Sequence, residues 1–228
     1  MLKLIKAKVR NLIFRQLPGF YWFYRGRSYY KNRDESVCEK LLHDEICKTV
    51  LSFQPARVLE YGVGNGSVLN KLLLKKPDLA GYGIDISRSQ IGIARKNAPN
   101  AVFLVSSLQQ IDYPDDFFDV IYGLGVLMYL KPETRGKSFH ELYRVCGNYL
   151  VAVEYVTDYF SEDLLSRFRN AGDYRYEYDI KEALQAAGFE IVLSEKIAAT
   201  WDPKINLLGE MPWGIIVCRK RPNKFNSA

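Results

Sequence analysis

The sequence predicts an α/β fold: a mostly parallel β-sheet with helices on both faces and an antiparallel final hairpin. Three observations carry this. Short apolar runs alternate with helical segments from Arg57 onward, the pattern of βαβ units. The first run leads into three alternate glycines and then a helix, at Gly62, Gly64 and Gly66. The last two runs have no helix between them, and a direct connection of that kind joins antiparallel strands. With 228 residues, 48% of them hydrophobic and 25% charged, the chain can bury one substantial core, which excludes a disordered or collagenous protein.

In order along the chain, residues 36–53 place Val37, Leu41, Leu42, Ile46, Val50 and Leu51 on one stripe at helical spacing, behind an N-cap at Asp34 or Ser36. A strand at 58–61 is followed by a helix at 67–75, and a strand at 81–86 by a helix at 89–97. Strands follow at 102–105 and 118–122, then a helix at 133–145 and a strand at 149–156. Helices at 162–170 and 180–187 precede the closing strands at 191–197 and 213–218. With no repeat or low-complexity linker, the expected organisation is a basic, aromatic extension or lid at 1–35, one domain at 36–220 and a tail at 221–228.

The net charge of +6 is confined to one place. Residues 1–33 hold nine of the 32 basic side chains and no acid, leaving 23 basic against 26 acidic elsewhere. A protein that grips nucleic acid with its whole surface spreads positive charge over the fold, so nucleic acid is not an expected partner. In 1–23, Leu2, Ile5, Val9, Leu12 and Ile13 share a helical face against Lys3, Lys6, Lys8, Arg10 and Arg15, ahead of a Trp- and Tyr-rich stretch. Two readings are open: peripheral contact with an anionic membrane, or packing on the domain or in a homodimer. No 18-residue apolar run and no secretory h-region occur, so the expected location is the cytoplasm or the inner membrane face. Cys38, Cys47, Cys146 and Cys218 lack metal-ligand spacing and read as reduced core thiols, with no metal expected.

The glycine segment carries the chemistry. A strand running into alternate glycines brings backbone close to a ligand at the strand's carboxyl end. No GK[ST] follows, and the dinucleotide spacing needs glycine where Ser67 stands. Glu60 and the absence of Lys or Arg from 58–70 disfavour a polyanion, so a cationic, phosphate-free nucleoside fits better. Asp85, nineteen residues after Gly66, ends the second strand, where a carboxylate can accept both ribose hydroxyls. His43 reads as a packed or surface histidine, His140 as scaffold, and Asp115 and Asp116 as a solvated turn.

In these residues the sequence resembles the class I S-adenosylmethionine-dependent methyltransferases, whose first motif reads acidic-x-Gly-x-Gly-x-Gly and whose second strand ends in an acid. Glu60, Gly62, Gly64 and Gly66 match the first motif and Asp85 the second. The resemblance continues through 102–108, where Ser107 stands in place of the family's Asp, and through 113–127; it is close over about 55–155. It implies a Rossmann-like, seven-stranded fold and S-adenosylmethionine as cofactor, with S-adenosylhomocysteine as product. The cofactor contacts it implies are Glu60, Gly62, Gly64, Gly66, Asp85, Ile86, Ser107, Leu108, Gly123 and Tyr30.

Methyl transfer from a sulfonium is an in-line displacement that needs positioning and desolvation more than covalent catalysis. Gly123-Leu124-Gly125-Val126 lacks the Asn/Asp-Pro-Pro-aromatic signature of amino methylation on adenine or glutamine. The expectation is therefore transfer to a hydroxyl of a small molecule, sugar or glycan, with Glu154 and Tyr129 as candidate catalytic groups. Two alternatives stay open: a non-catalytic cofactor-binding module for assembly or regulation, and a small-molecule N-methyltransferase. Tyr24–Arg33 is expected to fold over the cofactor.

Overall fold

The computed structural model describes residues 22, 37–156, 176–197 and 213–221, with the side chains of Val37 and Cys38 excepted. The expected extension, Tyr30, the Tyr24–Arg33 lid, the helix at 162–170 and the tail beyond 221 lie outside these residues; Trp22 alone belongs to the arm.

Helix α1 (Val37–Ser52) leads into β1 (Arg57–Tyr61), α2 (Ser67–Lys75), β2 (Ala80–Asp85), α3 (Arg88–Asn97) and β3 (Val102–Val105). Then come β4 (Phe118–Leu124), a 3-10 turn (Leu127–Tyr129), α4 (Pro132–Val145), β5 (Cys146–Tyr155), α5 (Ile180–Ala186), β6 (Phe189–Lys196) and β7 (Trp213–Lys220). Bounds for 67–75 and 102–105 coincide with the sequence expectation. The strand expected from 149 begins three residues earlier, because α4 passes directly into β5 and Gly147-Asn148, turn residues by type, are strand here. Gly147 lies against β4, where a Cβ would stand 3.1 Å from the Phe118 carbonyl oxygen.

The seven strands form one sheet in the order β3-β2-β1-β4-β5-β7-β6. All pairs from β3 to β5 are parallel, and β7 runs antiparallel to both β5 and β6. The order reverses between β1 and β4, and a crevice opens outside the carboxyl ends of strands at such a switch point. One face carries α1, α2 and α3 through residues such as Leu42, Ile46, Leu69, Leu72 and Ile91; the other carries α4 and α5 through Phe139, Leu142, Ile180 and Leu184. Cys47, Cys146 and Cys218 are buried free thiols, and burial pushes the Cys47 and Cys218 thiols up to about 12.

Polar contacts fix the central strands in register. Asp119 at the start of β4 accepts the Ala56 and Arg57 amides at 2.8 and 2.7 Å. Arg144 on α4 donates to the carbonyls of Ile111 and Tyr113 and pairs with Glu141 and Asp115 at 2.8 Å each. Lys220 pairs with Asp116. The Asp115-Asp116 turn is thus tied to α4 and β7, a scaffold role.

Candidate functional site

The first half of the site follows from the backbone after β1. Gly62, Gly64 and Gly66 all have positive φ, 65°, 53° and 79°. At Gly62 a Cβ would also stand 2.4 Å from Val126 Cγ2, so only glycine lets β1 turn beneath the loop that leaves β4. The Val63 amide donates to the Ile84 carbonyl at 2.9 Å, tying this turn to β2. Beside it, the Gly64 amide donates to Asp85 Oδ2 at 2.9 Å and the Ser87 amide to Oδ1 at 2.8 Å. The Asp85 carboxylate is therefore held by two elements, and each oxygen retains a further acceptor position. Burial raises its pKa while the two amide bonds lower it.

A cleft of about 390 Å³ opens here, lined by Glu60, Gly62, Gly64, Asp85, Ile86, Ser107, Leu108 and Tyr129 among the residues expected from sequence. Glu60 is 4% exposed and accepts the Tyr122 hydroxyl at 3.1 Å and the Leu69 amide. Burial pushes its carboxyl up to about 8, against those two hydrogen bonds. Ser107 Oγ accepts the Gln109 amide at 3.2 Å, so the hydroxyl helps close its own turn.

The second half is assembled from side chains on distant segments. Trp22 meets Tyr129 edge-on at 5.4 Å between centroids, and Tyr155 lies against Trp213 at 4.3 Å. All four rings line the cleft, with Met128, Lys131, Thr134 and Ser138. The loop after β4 that carries Met128 and Tyr129 is held from below. Glu154 Oε1 accepts the Val126 and Leu127 amides at 2.8 Å each, and Oε2 receives the Met128 amide at 3.5 Å. From the other side, the Tyr178 hydroxyl donates to the Leu127 carbonyl at 2.6 Å.

Three of the expected site residues lie off the cleft lining. Glu154 is fully buried, points at backbone amides and is absent from the cleft lining, so it clamps a loop rather than facing a bound molecule. Gly123 also lies off the lining: the Tyr61 ring fills the notch, 2.1 Å from where a Cβ would stand. Gly66 packs against Ala94 on α3 as the left-handed N-cap of α2 and likewise does not line the cleft.

The structure adds Glu39, Gln90 and Trp213 to the cleft, and places His43, read from sequence as a packed or surface histidine, on its lining. Glu39 and His43, one helical turn apart on α1, both line the cleft and pair at 3.5 Å. The i, i+4 spacing of an acid and a histidine was the available signal. Gln90 and Trp213 line it as well. Among the described residues no group of three or more His, Cys, Asp or Glu side chains could hold a metal ion, and no helix is long and apolar enough to cross a membrane.

The sheet order, the glycine turn after β1 and the carboxylate ending β2 define a Rossmann-like domain of the class I methyltransferase type. Residues 58–148 match the family model of a methyltransferase domain. The chain is 34% identical over 61 residues to a release factor glutamine methyltransferase of Caulobacter vibrioides, covering 27% of this chain and 21% of that one. It is 29% identical over 119 residues to an uncharacterized methyltransferase of Bacillus cytotoxicus, covering 51% of this chain and 55% of that one. It thus spans at most about half the length of these curated relatives. Among solved structures, magnesium protoporphyrin IX methyltransferase from Synechocystis, crystallised with bound S-adenosylhomocysteine, superposes with a TM-score of 0.68 at 17% identity, over 92% of this chain and 99% of that one. That likeness is one of fold.

Proposed function

We propose that the cleft binds S-adenosylmethionine and that the protein transfers its methyl group to a hydroxyl of a small-molecule, sugar or glycan acceptor. The observation that carries the cofactor reading is the Asp85 carboxylate, fixed by the Gly64 and Ser87 amides beside a positive-φ glycine turn. The donor set fits this molecule: Glu39, Glu60 and Asp85 face the cleft with His43 and Lys131, which suits a diol and a cationic amino-acid end better than a phosphate chain.

When bound, S-adenosylmethionine supplies an electrophilic methyl group whose leaving group is a neutral thioether. The chain's own part is positioning. Asp85 would hold the ribose hydroxyls, Ile86 and Leu108 would flank the base, Ser107 and the Leu108 amide would meet its edge, and Glu60 would oppose the cationic end. Trp22, Tyr129, Tyr155 and Trp213 exclude water from the acceptor side, as an in-line displacement requires. Tyr129 is the acceptor-side polar contact, and Glu154 acts through it as a positioning residue. Trp22 in the cleft supports a lid role for the arm, within the proposed 1–35, 36–220 and 221–228 division.

The test is calorimetry with S-adenosylhomocysteine and with NAD, then transfer from methyl-labelled S-adenosylmethionine to a panel of hydroxyl and amine acceptors. Binding of NAD in place of S-adenosylhomocysteine refutes the cofactor reading. Labelling of amines alone favours N-methylation, and binding without any transfer favours a non-catalytic module. Liposome co-sedimentation with anionic lipid, for the full chain and one beginning at Ser36, separates membrane contact of residues 1–23 from a packing or dimer role.

A further inference from the structure

Among the described residues, the cleft holds a buried polar side chain that has no hydrogen-bond partner. Gln90 is 1% exposed and lines the cleft, yet neither its Nε2 nor its Oε1 has a hydrogen-bond partner. Leaving a buried amide unpaired costs about 1–3 kcal/mol for each group, so such a side chain calls for an explanation.

The local sequence offered it a partner. Ser87-Arg88-Ser89-Gln90 is the S-x-x-Q pattern of a capping box, in which the glutamine reaches back to the N-cap amide. Ser87 is the N-cap of α3, but its amide is already given to Asp85 Oδ1 at 2.8 Å. Its hydroxyl is engaged with Ser89 Oγ at 3.0 Å and caps nothing. Fixing Asp85 thus releases Gln90 from the box and leaves its amide, a donor and an acceptor, unpaired in the cleft that Asp85 also lines. An apolar cleft would have no use for such a group, whereas a nucleoside presents donors and acceptors on both base and sugar.

We infer that the Gln90 amide is a specificity-determining contact for the adenosine moiety of the bound cofactor, completed only when that moiety lies against Asp85. The inference rests on the cofactor reading above. It accounts for a base edge that Ser107, turned onto its own backbone, meets with less than the carboxylate usual in the family. Gln90 belongs to the nucleoside half of the ligand and has no part in the methyl transfer itself.

The experiment uses the full chain with Gln90→Met, which keeps length and volume, and Gln90→Leu as a second apolar replacement. Affinities for S-adenosylhomocysteine and for 5′-methylthioadenosine, which lacks the amino-acid half, are measured by calorimetry, with melting temperatures taken without ligand. The expected result is a loss of about tenfold or more for both ligands by the same factor. Unliganded variants should melt no lower than the wild type, because an unpaired buried amide has gone. A variant that melts like the wild type and binds S-adenosylhomocysteine within twofold of it overturns the inference. So does a loss for S-adenosylhomocysteine with none for 5′-methylthioadenosine, which would assign Gln90 to the amino-acid end. A wild-type protein that binds neither ligand refutes the cofactor reading itself, and the inference falls with it.

Discussion

The two halves of the cleft are built in different ways. The nucleoside half is backbone: a glycine turn, the amides of Gly64 and Ser87, and a carboxylate two residues before the N-cap of α3. The proposed acceptor half is a set of rings from residues 22, 129, 155 and 213, with the loop that leads into Tyr129 held by a buried glutamate. Backbone geometry is dictated locally and tolerates little change, whereas a wall of side chains can be replaced one ring at a time. The first half therefore suits a ligand that never varies and the second a ligand that does.

The largest expected effect tests whether Glu154 belongs to the scaffold of the acceptor half. Glu154→Ala strands up to three amides that it now accepts, and should lower stability by about 3 kcal/mol or more in urea denaturation. Glu154→Gln keeps one acceptor oxygen and should lose about 1 kcal/mol. An alanine variant as stable as the wild type, yet inactive, would return Glu154 to catalysis and break the division.

Next comes Gly62→Ala, at the seam where the two halves meet. Strain at φ 65° and the clash with Val126 should together cost about 2–3 kcal/mol. Val126→Ala in the same chain should recover the clash part alone; full recovery would mean that the left-handed backbone carries no strain.

Asp85→Ala should weaken S-adenosylhomocysteine binding by about 1–3 kcal/mol, read by calorimetry. If affinity holds, backbone alone makes the nucleoside half and the carboxylate is a brace for Gly64 and Ser87.

The smallest effect is pH-dependent. Burial holds the Glu60 carboxyl up to about 8 in the empty protein, and a cationic ligand end favours its ionised form. Affinity for S-adenosylhomocysteine should therefore rise between pH 7 and 8.5, by less than about tenfold, with proton release seen in buffers of different ionisation enthalpy. Stability of the unliganded protein should move the opposite way. A raised folded pKa means that unfolding releases a proton between the ordinary value of 4.5 and about 8, so this contribution is lost as pH rises through that window. A flat profile in both measurements would place Glu60 away from the charged end.

The same contrast explains what the sequence made legible. The 67–75 helix, the 102–105 strand and the final antiparallel pair follow from periodicity and glycine placement, which are local. The start of β5 did not, because Gly147-Asn148 are turn residues by type and occupy an irregularity between the Phe118–Cys146 and Val120–Tyr149 pairs with β4, with Gly147 packed close to the Phe118 carbonyl. Glu60, Gly62, Gly64 and Asp85 were legible because their spacing is set by one strand-turn-helix and the next strand. The buried clamp role of Glu154 was not legible because its partners lie 26 to 28 residues away, so no local pattern shows which way the carboxylate points. Glu39 and Gln90 were missed, and His43 was read only as packed or surface, because nothing in a helical pattern distinguishes a face on a cleft from a face on the core.

The place of β7 has a consequence for synthesis on the ribosome. This strand, the last of the seven to emerge, sits between β5 and β6 and brings Trp213 against Gly125. Until residues 213–220 leave the exit tunnel, a nascent chain can pair β1 to β5 and form the glycine turn, but β6 has no neighbour and β5 presents an open, apolar edge. Such an edge recruits other strands. The glycine-turn half of the cleft can thus form before β7 emerges, while the half that includes Trp213 closes only once β7 has emerged. A stalled or clipped chain should therefore expose a sticky edge next to an already formed ligand cradle.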